Sequence, residues 1–312
     1  MYELIQAGPR TYYVDCPSKI GVYVTGEGEA CIIDSGNDKD AGKKVLKLLD
    51  EKGLKLKAIY NTHSHADHVG GNKLIQDRTG CNIYAPGLER VYAEHTILEP
   101  IMLYGSRPIK ELTHKFFKAG ESTVGELTDD VLPEGLEVIP LPGHSFDMCG
   151  YRTSDGVVFI ADSLCSAETL EKYQIGFLYD TAQYLESLEK VKGLDAELFV
   201  PSHAEACRDI VPLADFNILK VRETADKICE ICSCGSDVQA GAEGDMYASG
   251  SGAGKSFDDI LAELFTFYGL TMNISQHALV GSTVKAYLSY LRDMGRIDTV
   301  IEDNRLLWKT KE

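Results

Sequence analysis

The chain has 312 residues, 44% apolar and 25% charged, the profile of a folded globular protein rather than a disordered or fibrous one. Its 31 Lys and Arg against 48 Asp and Glu leave a formal charge of −17, a field that repels nucleic-acid backbones and anionic lipid. The first residues show no basic-then-apolar leader, no apolar run reaches membrane-spanning length, and nine cysteines without an export signal suit a reducing compartment, so the expectation is a cytoplasmic protein.

Residues 1–35 predict two or three strands, around 12–14, 21–24 and 30–34, where β-branched and aromatic residues are bounded by Pro17, Gly26 and Gly28. Val45, Leu46, Leu48 and Leu49, spaced among lysines and acids, predict an amphipathic helix over 39–52. A short strand at 58–60 and a helix from about 70 to 78 follow, an α/β pattern. Regular patterning fades between 86 and 131, and this segment reads as an insertion able to form a lid, with Tyr104 and Arg107 as candidate substrate contacts. Strands return at 137–139, 156–160 and 198–200, with a helix over 181–191 between the last two.

Six glycines and five serines in residues 233–256 mark a connector. Beyond it, helices are expected at 257–268, 274–279 and 282–294, then a hairpin turning at Asp303-Asn304, the element order of a winged-helix module. The expected organisation is a catalytic domain over 1–214, a helix and linker over 215–256, and a winged-helix-like module over 257–312. From Asp215 onward ten Lys and Arg face fifteen Asp and Glu, which disfavours DNA binding and favours a protein contact such as a homodimer through this module or the insertion. The stretch Gly250 to Ser256 lacks phosphate-loop spacing. Cys229, Cys232 and Cys234 lack a second Cys/His pair for a finger site.

The chemistry concentrates in His63-Ser64-His65-Ala66-Asp67-His68, four metal-ligand side chains in six residues on a strand-to-helix turn. His144, Asp162 and His203 each follow a predicted strand end, so that the pairing of strand end and ligand recurs four times in the chain.

With these residues the chain resembles the metallo-β-lactamase-fold hydrolase superfamily, over residues 1 to about 214, and more closely its glyoxalase II-like and lactonase-like branches. The resemblance implies a four-layer αββα sandwich with a dinuclear centre at one edge. On that mapping His63, His65 and His144 hold one metal, Asp67, His68 and His203 the other, and Asp162 bridges them. Asp34 lies beneath the metals in an orienting role. His65 in place of Glu argues against flavodiiron-type oxygen reductases, and Asp162 in place of Cys against antibiotic-cleaving lactamases. Ser145-Phe146-Asp147-Met148 replaces the family's frequent Thr-Pro-Gly-Ser after His144.

Imidazole and carboxylate ligands suit two divalent ions, zinc first, with iron or manganese compatible. The expected activity is hydrolysis of a small ester, thioester or lactone by a metal-bridging hydroxide, with Asp67 and Asp162 as the catalytic carboxylates. Two alternatives stand beside it: a mononuclear iron enzyme resembling persulfide dioxygenases, and a metabolite-sensing winged-helix regulator.

Overall fold

The structure, a computed structural model, describes residues 2–233 and 254–311. Most of the expected connector, residues 234–253, and Cys234 with it, lies outside the described residues.

Four antiparallel strands open the fold, β1 (Glu3–Gln6), β2 (Thr11–Asp15), β3 (Ile20–Gly26) and β4 (Glu29–Ile33). The sheet then grows by parallel pairing through β5 (Lys55–Tyr60), β6 (Asn82–Ala85) and β7 (Gly125–Glu126). The helix α1 (Lys39–Glu51) connects β4 to β5, capped by the Asp38 carboxylate, which accepts from Asp40 N and Ala41 N. The helix expected over about 70–78 has a separate short helix ahead of it. A short helix, α2 (Ala66–Val69), opens inside the histidine-rich turn, and α3 (Asn72–Thr79) follows. Asp67 and His68 therefore stand on helical backbone, while His63 and His65 precede it in the turn. The insertion folds as α4 (Gly87–Glu94), α5 (Leu98–Tyr104) and shorter turns before β7.

A second sheet has the order β11-β10-β9-β8, formed by β8 (Leu136–Pro140), β9 (Cys149–Thr153), β10 (Val157–Ala161) and β11 (Leu198–Pro201). Between β10 and β11 run α6 (Ala167–Tyr173) and α7 (Thr181–Lys192), and the parallel pairing of those strands requires such a crossover. The chain continues as α8 (Val211–Ser233), α9 (Phe257–Phe267) and α10 (Ile274–Asp293). It ends in the hairpin β12 (Ile297–Glu302) and β13 (Arg305–Thr310). Asp303 and Asn304 turn the hairpin with φ of 48° and 61°, the left-handed pair that a two-residue turn uses. The two helices expected at 274–279 and 282–294 are one continuous helix, α10. Gly281 stays helical because it is buried against α9, where a Cβ would stand 3.4 Å from the Phe257 ring, so packing overrides its weak propensity.

Strand alternation sorts the apolar side chains into three layers. Val14, Val22, Ile32 and Ile59 face α1 and α3. Their strand neighbours Tyr13, Tyr23, Ile33 and Tyr60 face the second sheet and meet Tyr151, Val157 and Phe159. Val158, Ile160 and Phe199 point the other way, into a core shared with α7, α8, α9 and α10. The result is a four-layer αββα sandwich. Its C-terminal helices share the core of the second sheet through Leu264, Val284 and Leu288. No described helix is long and apolar enough to cross a membrane.

Candidate metal centre

The seven expected ligands come from the loops after β5, β8, β10 and β11 and from α2, at the edge where both sheets end. Two non-glycine residues here occupy left-handed backbone, Asp34 at φ 63° and Ala161, directly before Asp162, at φ 50°. Such conformations cost about 1–3 kcal/mol each and persist where surrounding contacts over-determine them. At Gly143, before His144, the φ of 119° has a direct reason, since a Cβ would stand 2.2 Å from Tyr184 N. The loop thus rests on the start of α7, with Gly143 O accepting from Tyr179 N and Asp180 N at 2.9 Å each.

Three overlapping groups of ligand atoms converge, each within 4.8 Å: His63, His65 and His144; His63, His68 and Asp162; Asp67, His68 and His203. The outer nitrogens identify the tautomers. His144 Nδ1 donates to Phe177 O at 3.0 Å and His203 Nδ1 to Pro17 O at 2.8 Å. His68 Nδ1 donates to Asp34 Oδ2 at 2.8 Å. The Thr62 hydroxyl donates to the same carboxylate at 2.7 Å, so its oxygen accepts from His63 Nδ1 at 3.0 Å. With their protons outside, His63 Nε2 and His144 Nε2 turn lone pairs inward, onto His65 Nδ1 at 3.1 Å and 3.0 Å. His65 Nδ1 carries at most one proton and satisfies at most one of them. At least one lone-pair contact near 3 Å is left, an arrangement that a cation between the rings stabilises.

The carboxylates point the same way. Asp162 Oδ1 is buried without a hydrogen-bond partner among the described residues, with His68 Nε2 3.2 Å away. Asp162 Oδ2 lies 3.2 Å from His203 Nε2 and 3.6 Å from His144 Nε2, and Asp67 Oδ2 lies 3.1 Å from His203 Nε2. Burial and the neighbouring imidazoles hold His63 well below its ordinary range and bring His65 down to about 3, so both are neutral, as metal ligands must be. His68 and His203 go the other way. Burial lowers them, but the Asp162 and Asp67 carboxylates outweigh it and push both well above the usual histidine value. The neutral imidazoles of His63, His65 and His144, with the Asp67 and Asp162 carboxylates beside them, fit divalent metal, and an ion bound at His68 and His203 would displace their inner protons.

Of the other expected site residues, Asp34 is buried and accepts from Thr62 N at 2.8 Å besides the two bonds above. Tyr104 lines a cavity of about 510 Å³ between α5 and the C-terminal helices, with Leu112 and His277 among its walls. Arg107 is exposed on the loop after α5. Sequence reasoning missed four neighbours of the centre. The Glu99 side chain, 12% exposed on α5, stands 3.5 Å from His65 Nε2, and burial together with the Asp67 and Glu89 charges pushes it well above the usual carboxylate range. Phe177 packs edge-on against the His65 and His144 rings. Ser18 Oγ lies 3.1 Å from His68 Nε2. Glu89 binds the backbone beside His63. None carried a sequence signal, because none lies in the histidine-rich turn or directly after a predicted strand end. Cys229 and Cys232 stand on α8, packed in or against the core of the second sheet.

A family model described as the metallo-beta-lactamase superfamily matches residues 14–203. Among curated relatives, the hydroxyacylglutathione hydrolase of Methylobacillus flagellatus is 28% identical over 164 residues, covering 52% of this chain and 54% of the relative. That of Trichormus variabilis is 31% identical over 162 residues, covering 50% and 53%. The chain spans about half the length of the curated relatives it matches. Among solved structures, a beta-lactamase domain protein from Burkholderia ambifaria superposes with a TM-score of 0.66 at 18% identity, covering 99% of this chain and 94% of that one. A metallo-beta-lactamase family protein from Thermus thermophilus has the same TM-score at 16% identity, covering 99% and 98%, and both likenesses are of fold. With the family model matching well over half of its length, the chain belongs to the metallo-beta-lactamase superfamily.

Proposed function

We propose that this protein is a dinuclear metal-dependent hydrolase acting on a small ester, thioester or lactone, with thioesters foremost. The observation that carries the reading is the inward set of lone pairs, His63 Nε2 and His144 Nε2 against His65 Nδ1, beside the unpartnered Asp162 Oδ1. The thioester preference draws on the curated relatives, whose name describes cleavage of an acyl-glutathione.

His63, His65 and His144 would hold one ion and Asp67, His68 and His203 the other, with Asp162 between them; zinc suits these donors first. Divalent ions bound there supply a water of near-neutral pKa and polarise the substrate carbonyl. The chain's own groups do the rest. Asp34 holds His68 directly and His63 through Thr62, which fixes Nδ1 of both rings outward and turns Nε2 of both inward. The Asp67 carboxylate, facing His203, would orient the attacking water, whose proton leaves to solvent at its near-neutral pKa. The leaving thiolate of a thioester has a pKa of about 8.5 and departs without a general acid.

Metal analysis of zinc-reconstituted protein, beside hydrolysis assays on thioesters, lactones and phosphodiesters, tests the reading. Two ions per chain and thioester cleavage abolished by Asp162→Ala are expected. A single iron with oxygen uptake on a persulfide overturns it in favour of dioxygenase chemistry. Cleavage indifferent to Asp162→Ala overturns it outright.

A further inference from the structure

The reaction proposed above makes no use of Glu89, a fully buried carboxylate on α4. Its Oε2 accepts from Ser64 N at 2.9 Å and from Ser64 Oγ at 2.7 Å, and its Oε1 accepts from Asp147 N at 3.1 Å. Ser64 is the residue between His63 and His65, and Asp147 lies three residues beyond His144. The contact is returned, since Asp147 Oδ2 accepts from Leu88 N at 2.8 Å. Helix α4 opens at Gly87, φ 42°, where a Cβ would stand 2.3 Å from that same oxygen. One ionisable group on the insertion therefore ties together both loops that carry the three-histidine set.

We propose that Glu89 is a positioning residue that sets the separation of the His63/His65 pair from His144, and through it the affinity of that set for its ion. The inference rests on reading those histidines as metal ligands. A buried carboxylate is a poor choice for stability alone, because an apolar residue of similar volume serves a core as well or better. Its particular property here is to accept from both loops at once, which an amide of the same shape lacks. Outer partners of metal ligands typically change metal affinity by about 10–100-fold when altered.

Cobalt(II) titrated into metal-free wild type, Glu89→Gln and Ser64→Ala, followed by visible absorption and by chelator competition, provides the test. Glu89→Gln is expected to weaken one of two cobalt equivalents by about 10–100-fold and alter its spectrum, leaving the other equivalent near wild type. Ser64→Ala, which removes only the hydroxyl contact, should move the same equivalent by less. Wild-type affinity and spectrum at both equivalents in Glu89→Gln overturn the proposal, and if that variant fails to fold, the same two readouts on Ser64→Ala decide. A wild-type protein that takes up no cobalt overturns the ligand reading itself, a result separable from an unchanged Glu89→Gln beside a cobalt-binding wild type.

Discussion

Replacing Asp34 by asparagine preserves shape and exchanges one acceptor oxygen for a donor, and its effect can be followed atom by atom. Oδ1 accepts from Thr62 N, while Oδ2 accepts from His68 Nδ1 and from the Thr62 hydroxyl. An amide that keeps its oxygen on the backbone N–H turns its NH2 toward two groups that were themselves donating. Both must reverse. His68 accepts at Nδ1 and carries its proton on Nε2, while the Thr62 hydroxyl turns to His63 Nδ1 and drives that proton to Nε2. One histidine in each proposed ligand set then presents N–H where a lone pair is needed. Two bonds to a charged acceptor, worth about 1.5–3 kcal/mol each, give way to neutral bonds worth about 0.5–1.5 each, a net loss of about 2–3 kcal/mol. Urea unfolding of metal-free Asp34→Asn should show this loss, and chelator competition should show zinc affinity reduced by about 10–100-fold at both sites. Wild-type affinity at both would mean that the outer hydrogen bonds do not set the tautomers, and the account of the centre given above would fail.

Asp38→Ala should cost about 0.5–2 kcal/mol at pH 7 through loss of the α1 cap. Although burial raises Asp38, its bonds to Ala41 N, Lys115 and Asp40 N hold the folded pKa below the ordinary value; its contribution is thus present above about pH 4 and lost as pH falls through the folded pKa. Stability curves of the two proteins should converge in acid, and a gap that widens there contradicts the sign. Gly143→Ala combines positive φ with a Cβ 2.2 Å from Tyr184 N, so the His144 loop must move; reduced melting temperature together with weakened metal binding is expected, and wild-type values for both would refute it. Leu264→Ala, at a fully buried position of the shared core, should cost about 2–5 kcal/mol and leave one unfolding transition. Separate transitions by calorimetry would show instead that the C-terminal helices fold as an independent unit.

The histidine-rich turn was readable because its ligands crowd six consecutive residues, and α1 because its leucines and Val45 keep a helical period. Strand β9 escaped notice since Gly150 interrupts Cys149-Gly150-Tyr151-Arg152-Thr153, a short run without apolar alternation. Gly150 belongs there because a Cβ would stand 2.4 Å from Phe159 O on the neighbouring strand, a closeness that no local pattern records. The break expected inside α10 fails for a similar reason, with Gly281 buried against α9. Nothing in the sequence sets Glu89 and Glu99 apart from other acids on a poorly patterned segment. Their burial follows only once the insertion folds back over the turn.

Local chemistry along the chain was sufficient for the kinds of donor atom present, for the alternation that builds layered sheets, and for the charge that disfavours polyanions. Which nitrogen of each imidazole faces inward, which acids lose contact with water, and how two loops are tied to one carboxylate were settled by contacts between residues 25 to 186 positions apart. Spacing expresses only what neighbours along the chain can do, whereas proton placement and desolvation depend on whatever distant group the fold brings within about 3 Å.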